Sequence, residues 1–369
     1  MKDLHGIIFA YTNNTRLKEL TEHRTVSSLP FGGRYRVIDF MLSNMVNAGV
    51  YDVGVVMRDN YQSLLDHLGS GKAWDLARKR GGLRLLPPFG RAGAGSPTYF
   101  RGKMEALASV AEYVDYIRQE YVVIADGDII VNLPLEAMFD QHVRSGADVT
   151  CMCTPCQVSE PELATYVTLD DKHFVKNVSS GRAETGSYEA LGVYMMSKKF
   201  LKSIIAECKS HSLYDFERDV LQRKSMALAA FPFEGYAARV QSTAQYFCHS
   251  MELLTPEVRG SLFLRSRPVK TKVRDETSAY YGPDSCVKNS VLADGCIIEG
   301  HVEDSVLFRG VHVKKGAVVR NSILMQDVCV HPGADLRYVI CDKAVVINQG
   351  RLLVGHESYP IAISKGAMV

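Results

Sequence analysis

The C-terminal third of the chain repeats itself at a short period, and that repeat limits its fold more than any other feature. From Cys286 onward aliphatic residues recur every five or six positions, at Val291, Ile297, Val302, Leu307, Val313, Val318 and Ile323. Turn formers Asn289, Gly295, Gly300, Gly310 and Gly316 fall among them. A period near six predicts a parallel β-helix, each coil made of three short strands and three turns and burying its aliphatics only against the next coil. A short antiparallel β-sandwich is the alternative for the same residues.

The first two-thirds follow another rule. Short β-rich runs (His5 to Ala10, Val53 to Met57, Tyr121 to Ala125) alternate with amphipathic helical ones (Tyr35 to Ala48, Asn60 to Leu68, Met104 to Gln119). Such alternation predicts a mostly parallel sheet covered on both faces, with ligands at the carboxyl ends of its strands. The loops after Ala10 and after Ala125 are therefore the expected substrate positions. Lys79 to Pro97 is rich in Arg, Gly and Pro and reads as a long loop, either holding a phosphate or solvated. A length of 369 residues suits two domains. The divisions are an α/β domain at 1–250, a helix and polar linker at 251–280 (Leu253 to Phe263, then Arg265 to Thr277 with Pro268), and the β-helix at 281–369.

A net charge of +2 gives no electrostatic reason for a nucleic-acid or membrane partner. No apolar run is long enough to span a bilayer, and Met1 to His5 lacks a signal-peptide layout. Nine scattered cysteines suit a reducing compartment, so the expected location is cytoplasmic. Cys151, Cys153 and Cys156 are either buried strand thiols or three ligands of a metal site lacking its fourth. Likewise His301, His312 and His331 are either solvent-facing or the bases of an acyltransferase built on the β-helix.

The run Pro30-Phe31-Gly32-Gly33-Arg34-Tyr35-Arg36-Val37-Ile38-Asp39-Phe40, continuing to Leu42-Ser43-Asn44, closely resembles the sugar-nucleotide pyrophosphorylases, within them the bacterial glucose-1-phosphate adenylyltransferases. Leu191-Gly192-Val193-Tyr194 and Asp215-Phe216 with Asp219 extend the likeness over nearly the whole chain. The resemblance implies a Rossmann-like nucleotidyltransferase domain followed by a left-handed parallel β-helix used for subunit contact and regulation. The family's reaction, attack of the glucose 1-phosphate oxygen on the α-phosphorus of ATP, needs backbone amides around the triphosphate, cations, and carboxylate-held Mg2+.

Against that pattern the chemistry is eroded. The family's loop Gly-Gly-x-Gly-Thr-Arg-Leu stands here as Tyr11-Thr12-Asn13-Asn14-Thr15-Arg16-Leu17, with every glycine gone and Arg16 kept. Glycines matter there because backbone must approach phosphate closely. By resemblance, Asp128 of Val123-Ile124-Ala125-Asp126-Gly127-Asp128 is the catalytic and metal aspartate, whereas the second metal aspartate, in Trp-Arg-Asp-Val-Gly-Thr, maps to Val240. The sugar-phosphate lysine maps to Asn177 with Lys176 one residue away, and the lysine of Arg-Ala-Lys-Pro maps to Val26. Gly-Thr-Ala-Asp becomes Gly102-Lys103-Met104-Glu105, a milder change. Gly32, Gly33, Lys176 and Gly192 are the expected substrate-binding positions, with Asp128 and Arg16 as catalytic remnants.

Losses at three separate places beside a kept scaffold resemble the second, D-type subunit found beside a catalytic subunit in some bacteria. The implied role is a non-catalytic or weakly catalytic regulatory subunit for glycogen biosynthesis, in a hetero-oligomer, expected to be a tetramer, with the homologous catalytic chain. Arg34, Arg36 and Asp128 are candidates to hold a nucleotide or sugar-phosphate effector, or else support packing. The alternative is an active enzyme using Arg16, Asp128 and Lys176, with Mg2+ as its cofactor.

Overall fold

A computed structural model describes residues 3–11, 15–87, 100–156, 164–184 and 186–369. Thr12, Asn13 and Asn14 of the eroded loop, and the second half of the Lys79 to Pro97 segment, lie outside these residues.

The N-terminal domain is built on a nine-stranded sheet: β1 (Leu4–Phe9), β2 (Asp52–Val56), β3 (Gly82–Leu86), β4 (Tyr121–Asp126), β5 (Val149–Pro155), β6 (Thr165–Leu169), β7 (Val175–Ser180), β8 (Tyr188–Ser197) and β9 (Leu228–Pro232). Strands β4, β1, β2 and β3 are parallel neighbours, as the strand–helix alternation predicts. Antiparallel strands extend the sheet beyond β4. Strand β3 corrects the reading of Lys79 to Pro97 as loop throughout: Gly82 to Leu86 pairs in parallel with Asp52 to Val56, placing Leu83 and Leu85 against the core. Its short apolar alternation is hidden in sequence by the flanking Arg and Gly residues.

Strand β8 changes neighbour partway along. Tyr188 to Ala190 lie beside β6, whereas Val193 to Ser197 lie beside β4, and the register breaks between Ala190 and Tyr194. Gly192 sits in the break at φ +71°. The sheet thus parts between β6 and the carboxyl end of β4, and a cleft opens there.

Helical boundaries shift for local reasons. Tyr35 and Arg36 belong to a hairpin with Pro30 and Phe31, and helix α1 (Val37–Asn47) begins only where the Asp39 carboxylate accepts the Arg36 N–H at 3.0 Å. Met104 to Gln119 is two helices, α2 (Lys103–Ser109) and α3 (Ala111–Tyr116), meeting at non-helical Val110. In the expected helix from Leu253, Thr255 is extended and Pro256 opens the helix Pro256–Leu262.

The C-terminal domain consists of three five-stranded parallel sheets, so the sandwich alternative is excluded. Ladders such as Tyr280, Ile297, His312, Cys329 and Val346 stack coil on coil. Val302, Leu307 and Val313 point into the coils as the period predicts. Ile297 and Val318 do not; their neighbours Ile298 and Val319 are the buried ones, because alternate side chains leave opposite faces. The third sheet is two-sided: Leu307 and Leu324 fill the coil interior, while Val306 and Ile323 join an apolar cluster with Phe31, Phe40 and Tyr246 of the N-terminal domain.

That junction is also polar and specific. Arg24 makes a bidentate pair with Asp342, at 2.8 Å from each Nη, with both side chains buried. The linker is pinned, Asn132 donating to the Leu262 and Arg267 carbonyls at 2.7 and 2.8 Å, and Lys270 N–H to Ser43 at 2.8 Å. No helix among the described residues is long and apolar enough to cross a membrane.

Candidate functional site

The cleft at the parting of the sheet encloses about 650 Å³ and is lined by residues from the ends of β1 and β4, from α2 and from the segment after Tyr214. Its aromatic wall is Phe9, Tyr11 and Phe100, with Tyr11 edge-on to Phe9 at 6.0 Å. Tyr11, at the first position of the lost glycine loop, therefore puts a ring into the cleft. Burial, and then the nearby Asp126 carboxylate, push its phenol well above the usual range, so it stays neutral.

The floor is an ion cluster. Asp126 ends β4, and the short strand Ile129–Val131 pairs antiparallel with Ala237–Arg239, which carries Arg239 over both aspartates. The Arg239 guanidinium donates to Asp126 through Nη2 and to Asp128 Oδ2 through Nε at 3.2 Å. Lys103, at the start of α2, bridges Asp126 at 2.9 Å and Glu217, and the Tyr194 hydroxyl donates to Glu217 at 3.1 Å. Burial works against the charge on Arg239, but Asp128, Asp126 and Glu217 outweigh it and hold the guanidinium cationic. Lys103 is likewise held charged by Asp126 and Glu217 against its desolvation.

Two glycines make room for this cluster. A Cβ on Gly192 would stand 2.1 Å from Asp126 Oδ2, and one on Gly102 would stand 2.2 Å from the Tyr214 carbonyl. The expected importance of Gly192 thus has a steric cause: its bare backbone seats the aspartate.

The remaining expected residues are dispersed. Asp128 is 2% exposed and lies beneath the cleft. Arg16 is exposed, in the 3-10 segment Thr15–Leu20, where its carbonyl accepts the Thr243 hydroxyl at 3.3 Å. Lys176 is an exposed residue at a bulge of edge strand β7, without a ladder partner, and does not line the cleft. Gly32 and Gly33 are away from the cleft as well. They turn the hairpin at φ +60° and +81°, and a Cβ on Gly33 would touch Ala293, Val291 and the Leu307 carbonyl of the β-helix. Val240, the position of the second metal aspartate, is fully buried in the apolar cluster at the domain junction with Ile130 and Tyr246. Arg239, one residue earlier, is what reaches the carboxylates.

A magnesium ion at Asp128 needs carboxylate oxygens open to it. Among the described residues Asp128 Oδ1 is buried without a hydrogen-bond partner, but Oδ2 is held by Arg239, and Asp126 is held by two cations. No group of three or more His, Cys, Asp or Glu among the described residues is arranged to hold a metal. This donor set does not fit a resident magnesium ion.

Asp126, Lys103, Glu217 and Arg239 were not among the expected site residues. Lys103 carried a signal, since it replaces the threonine of Gly-Thr-Ala-Asp. Of the cysteines of the metal alternative, Cys151 and Cys153 lie buried in the sheet core, where burial pushes Cys151 up to about 12, and Cys156 is half-buried just past the strand's end. The β-helix histidines are surface groups, His312 pairing with Glu299 at 3.0 Å and His331 lying 3.4 Å from Lys314.

A second, smaller cavity of about 120 Å³ lies between the domains. Six cationic side chains line it: Arg34, Arg36, Lys272, Arg274, Arg309 and Lys343. Arg309 is 8% exposed, and its Nε and Nη2 have no hydrogen-bond partner among the described residues. Burial, then the charges of Arg36 and Arg24, pull Lys343 down to about 7.

Comparison with known proteins agrees with this architecture. Residues 5–237 match the nucleotidyl transferase family, and residues 273–359 match the GlmU-like C-terminal hexapeptide family, whose repeats go with the left-handed β-helix. Over 369 residues the chain is 35% identical to the glycogen biosynthesis protein GlgD of Bacillus subtilis (strain 168), covering 98% of this chain and 95% of that protein. It is 39% identical over 322 residues to GlgD of Geobacillus stearothermophilus, covering 85% and 82% of the two chains. It is also 31% identical over 362 residues to the glucose-1-phosphate adenylyltransferase of Fervidobacterium nodosum, covering 96% and 87%. With its fold, its kept Gly-Asp strand end and these relatives, the chain belongs to the nucleotidyltransferase family that includes GlgD and the glucose-1-phosphate adenylyltransferases.

Proposed function

We propose that this chain is a non-catalytic or weakly catalytic regulatory subunit of glucose-1-phosphate adenylyltransferase, modulating ADP-glucose synthesis for glycogen by assembling with the homologous catalytic chain. One observation carries the reading: Arg239 spans Asp126 and Asp128 where in-line phosphoryl chemistry needs carboxylates free to hold a metal. A guanidinium balances charge but has no open coordination positions in which phosphate oxygens and carboxylate oxygens become ligands of one centre, as an octahedral ion has. Tyr11 in the cleft and the exposed position of Lys176 support the same conclusion.

Regulation needs a site that is occupied differently in two states. The basic cavity suits that role, because it lies between the domains and its six cations outnumber its one carboxylate, Asp66. Its chemistry selects a phosphate-bearing effector, a nucleotide or sugar phosphate, held by Arg34 and Arg36 as expected and by Arg309 and Lys343 in addition. Asp128 lies in the other site and takes no part.

The second reading, an active nucleotidyltransferase, is favoured by the open cleft alone. The experiment is ADP-glucose formation by the isolated chain with ATP, glucose 1-phosphate and Mg2+. The regulatory reading expects a rate near background. Substantial turnover, lost in Asp128→Asn, would establish the enzyme.

A further inference from the structure

The cleft lacks a metal-binding arrangement even though it has carboxylates. Asp126 ends β4 and Asp128 lies in the turn just after it; both face one guanidinium, and Asp128, only 2% exposed, keeps one oxygen unpartnered. We propose that Arg239 is the resident cation of this cleft, standing where a divalent ion would join Asp126 to Asp128, and that the chain excludes divalent metal by this side chain rather than by the absence of an aspartate at position 240.

Three observations carry it. Arg239 is the only residue that touches both aspartates among the described contacts, one nitrogen to each. Lys103 takes a further position on Asp126 and ties it to Glu217, so two cations are paired with the buried Asp126 and Asp128 and the half-buried Glu217. Gly192 and Gly102 keep the cluster's backbone surroundings open enough to seat it, so the arrangement is built in rather than incidental. Position 240 cannot supply what is missing, because its side chain belongs to the apolar junction. Charged groups this deeply buried persist only when paired, and removing one partner leaves the others uncompensated. A divalent cation, for which carboxylate oxygens are the natural ligands, is then the replacement the cleft would accept.

This inference rests on the reading of the cleft as non-catalytic, and the two fail separately: turnover by the isolated chain defeats that reading, whereas metal binding by the unaltered chain defeats this one. The experiment follows Mn2+ alone, by loss of its free-ion paramagnetic resonance signal and by thermal unfolding, in the full-length chain and in Arg239→Gln. The unaltered chain is expected to leave the signal and the Tm unchanged at millimolar Mn2+. Arg239→Gln is expected to be less heat-stable, to bind Mn2+ at least tenfold more tightly than the unaltered chain, and to regain roughly 2 °C or more of Tm with it. Adding Asp128→Asn should abolish that response. Mn2+ binding by the unaltered chain that Asp128→Asn removes, or a folded Arg239→Gln that ignores Mn2+, would overturn the proposal. Should Arg239→Gln not fold, Arg239→Lys, whose shorter side chain lacks the fork that puts a separate nitrogen on each aspartate, is expected to show a weaker Mn2+ response, and its indifference to the ion would overturn the proposal equally.

Discussion

Val240→Asp restores the residue that resemblance places at the second metal position, and the structure predicts that it damages the fold instead of the chemistry returning. Val240 is fully buried among Ile130, Tyr246 and the other apolar residues of the domain junction. A carboxyl in such surroundings has its pKa raised by about 3 units or more from about 3.9, to roughly 7 or above. At about pH 7 the folded chain must either protonate the group or bury its charge, a cost of about 4 kcal/mol at 1.36 kcal/mol per unit. Losing the packed valine adds roughly 1–2 kcal/mol. Because the native state binds a proton that the unfolded chain does not, stability falls as pH rises between about 4 and 7. Urea unfolding of Val240→Asp and the parent at about pH 5 and pH 7 measures this: the deficit should be larger at the higher pH, by about 2.7 kcal/mol over those two units. A variant as stable as its parent at neutral pH would mean that position 240 reaches solvent or a cationic partner, and the argument from burial would be refuted.

Three further outcomes follow from named contacts. Gly192→Ala adds a Cβ 2.1 Å from Asp126 Oδ2 at φ +71°, and urea unfolding should show at least about 2 kcal/mol of destabilisation; parent-like stability would mean the aspartate moves freely. Arg24→Met leaves Asp342 buried without its bidentate partner and should cost about 3–5 kcal/mol at the junction, most of it recovered when Asp342→Leu is added, as a double-mutant cycle by urea unfolding would show. Lys343, pulled down to about 7, is charged at low pH, so sulfate measured calorimetrically should bind about tenfold more tightly at about pH 6 than at pH 8. Lys343→Met should flatten that dependence while sulfate still binds, and a pH-independent affinity in the parent would exclude Lys343 from the cavity's anion site.

The β-helix was legible because its period is written into every coil, though Ile297 and Val318 show that a period near six does not say which of two adjacent aliphatics points inward. The parallel half of the sheet was legible from strand–helix alternation. The parting at Gly192, which makes the cleft, was not: it depends on β8 exchanging β6 for β4, a long-range pairing with no local signature. The motif points to Asp128, but the guanidinium that pairs with it comes from position 239, and Lys103 and Glu217, which complete the cluster around Asp126, are brought there only by the fold. Sequence alone reads Val240 as a lost ligand, while strand alternation makes its neighbour Arg239 the residue that faces the aspartates. The basic cavity was half-visible, since Arg34 and Arg36 lie in the most specific motif, whereas Arg309 and Lys343 arrive from separate coils.

The most direct measurement is a titration of this chain into the homologous catalytic adenylyltransferase chain, following ADP-glucose formation across a range of sugar-phosphate effector. No turnover is expected from this chain alone and, on mixing, a rate or half-saturating effector concentration that changes until a fixed ratio of the two chains is reached, with the effector response weakened by Arg309→Ala. A catalytic rate indifferent to the added chain at every effector concentration would contradict the regulatory role.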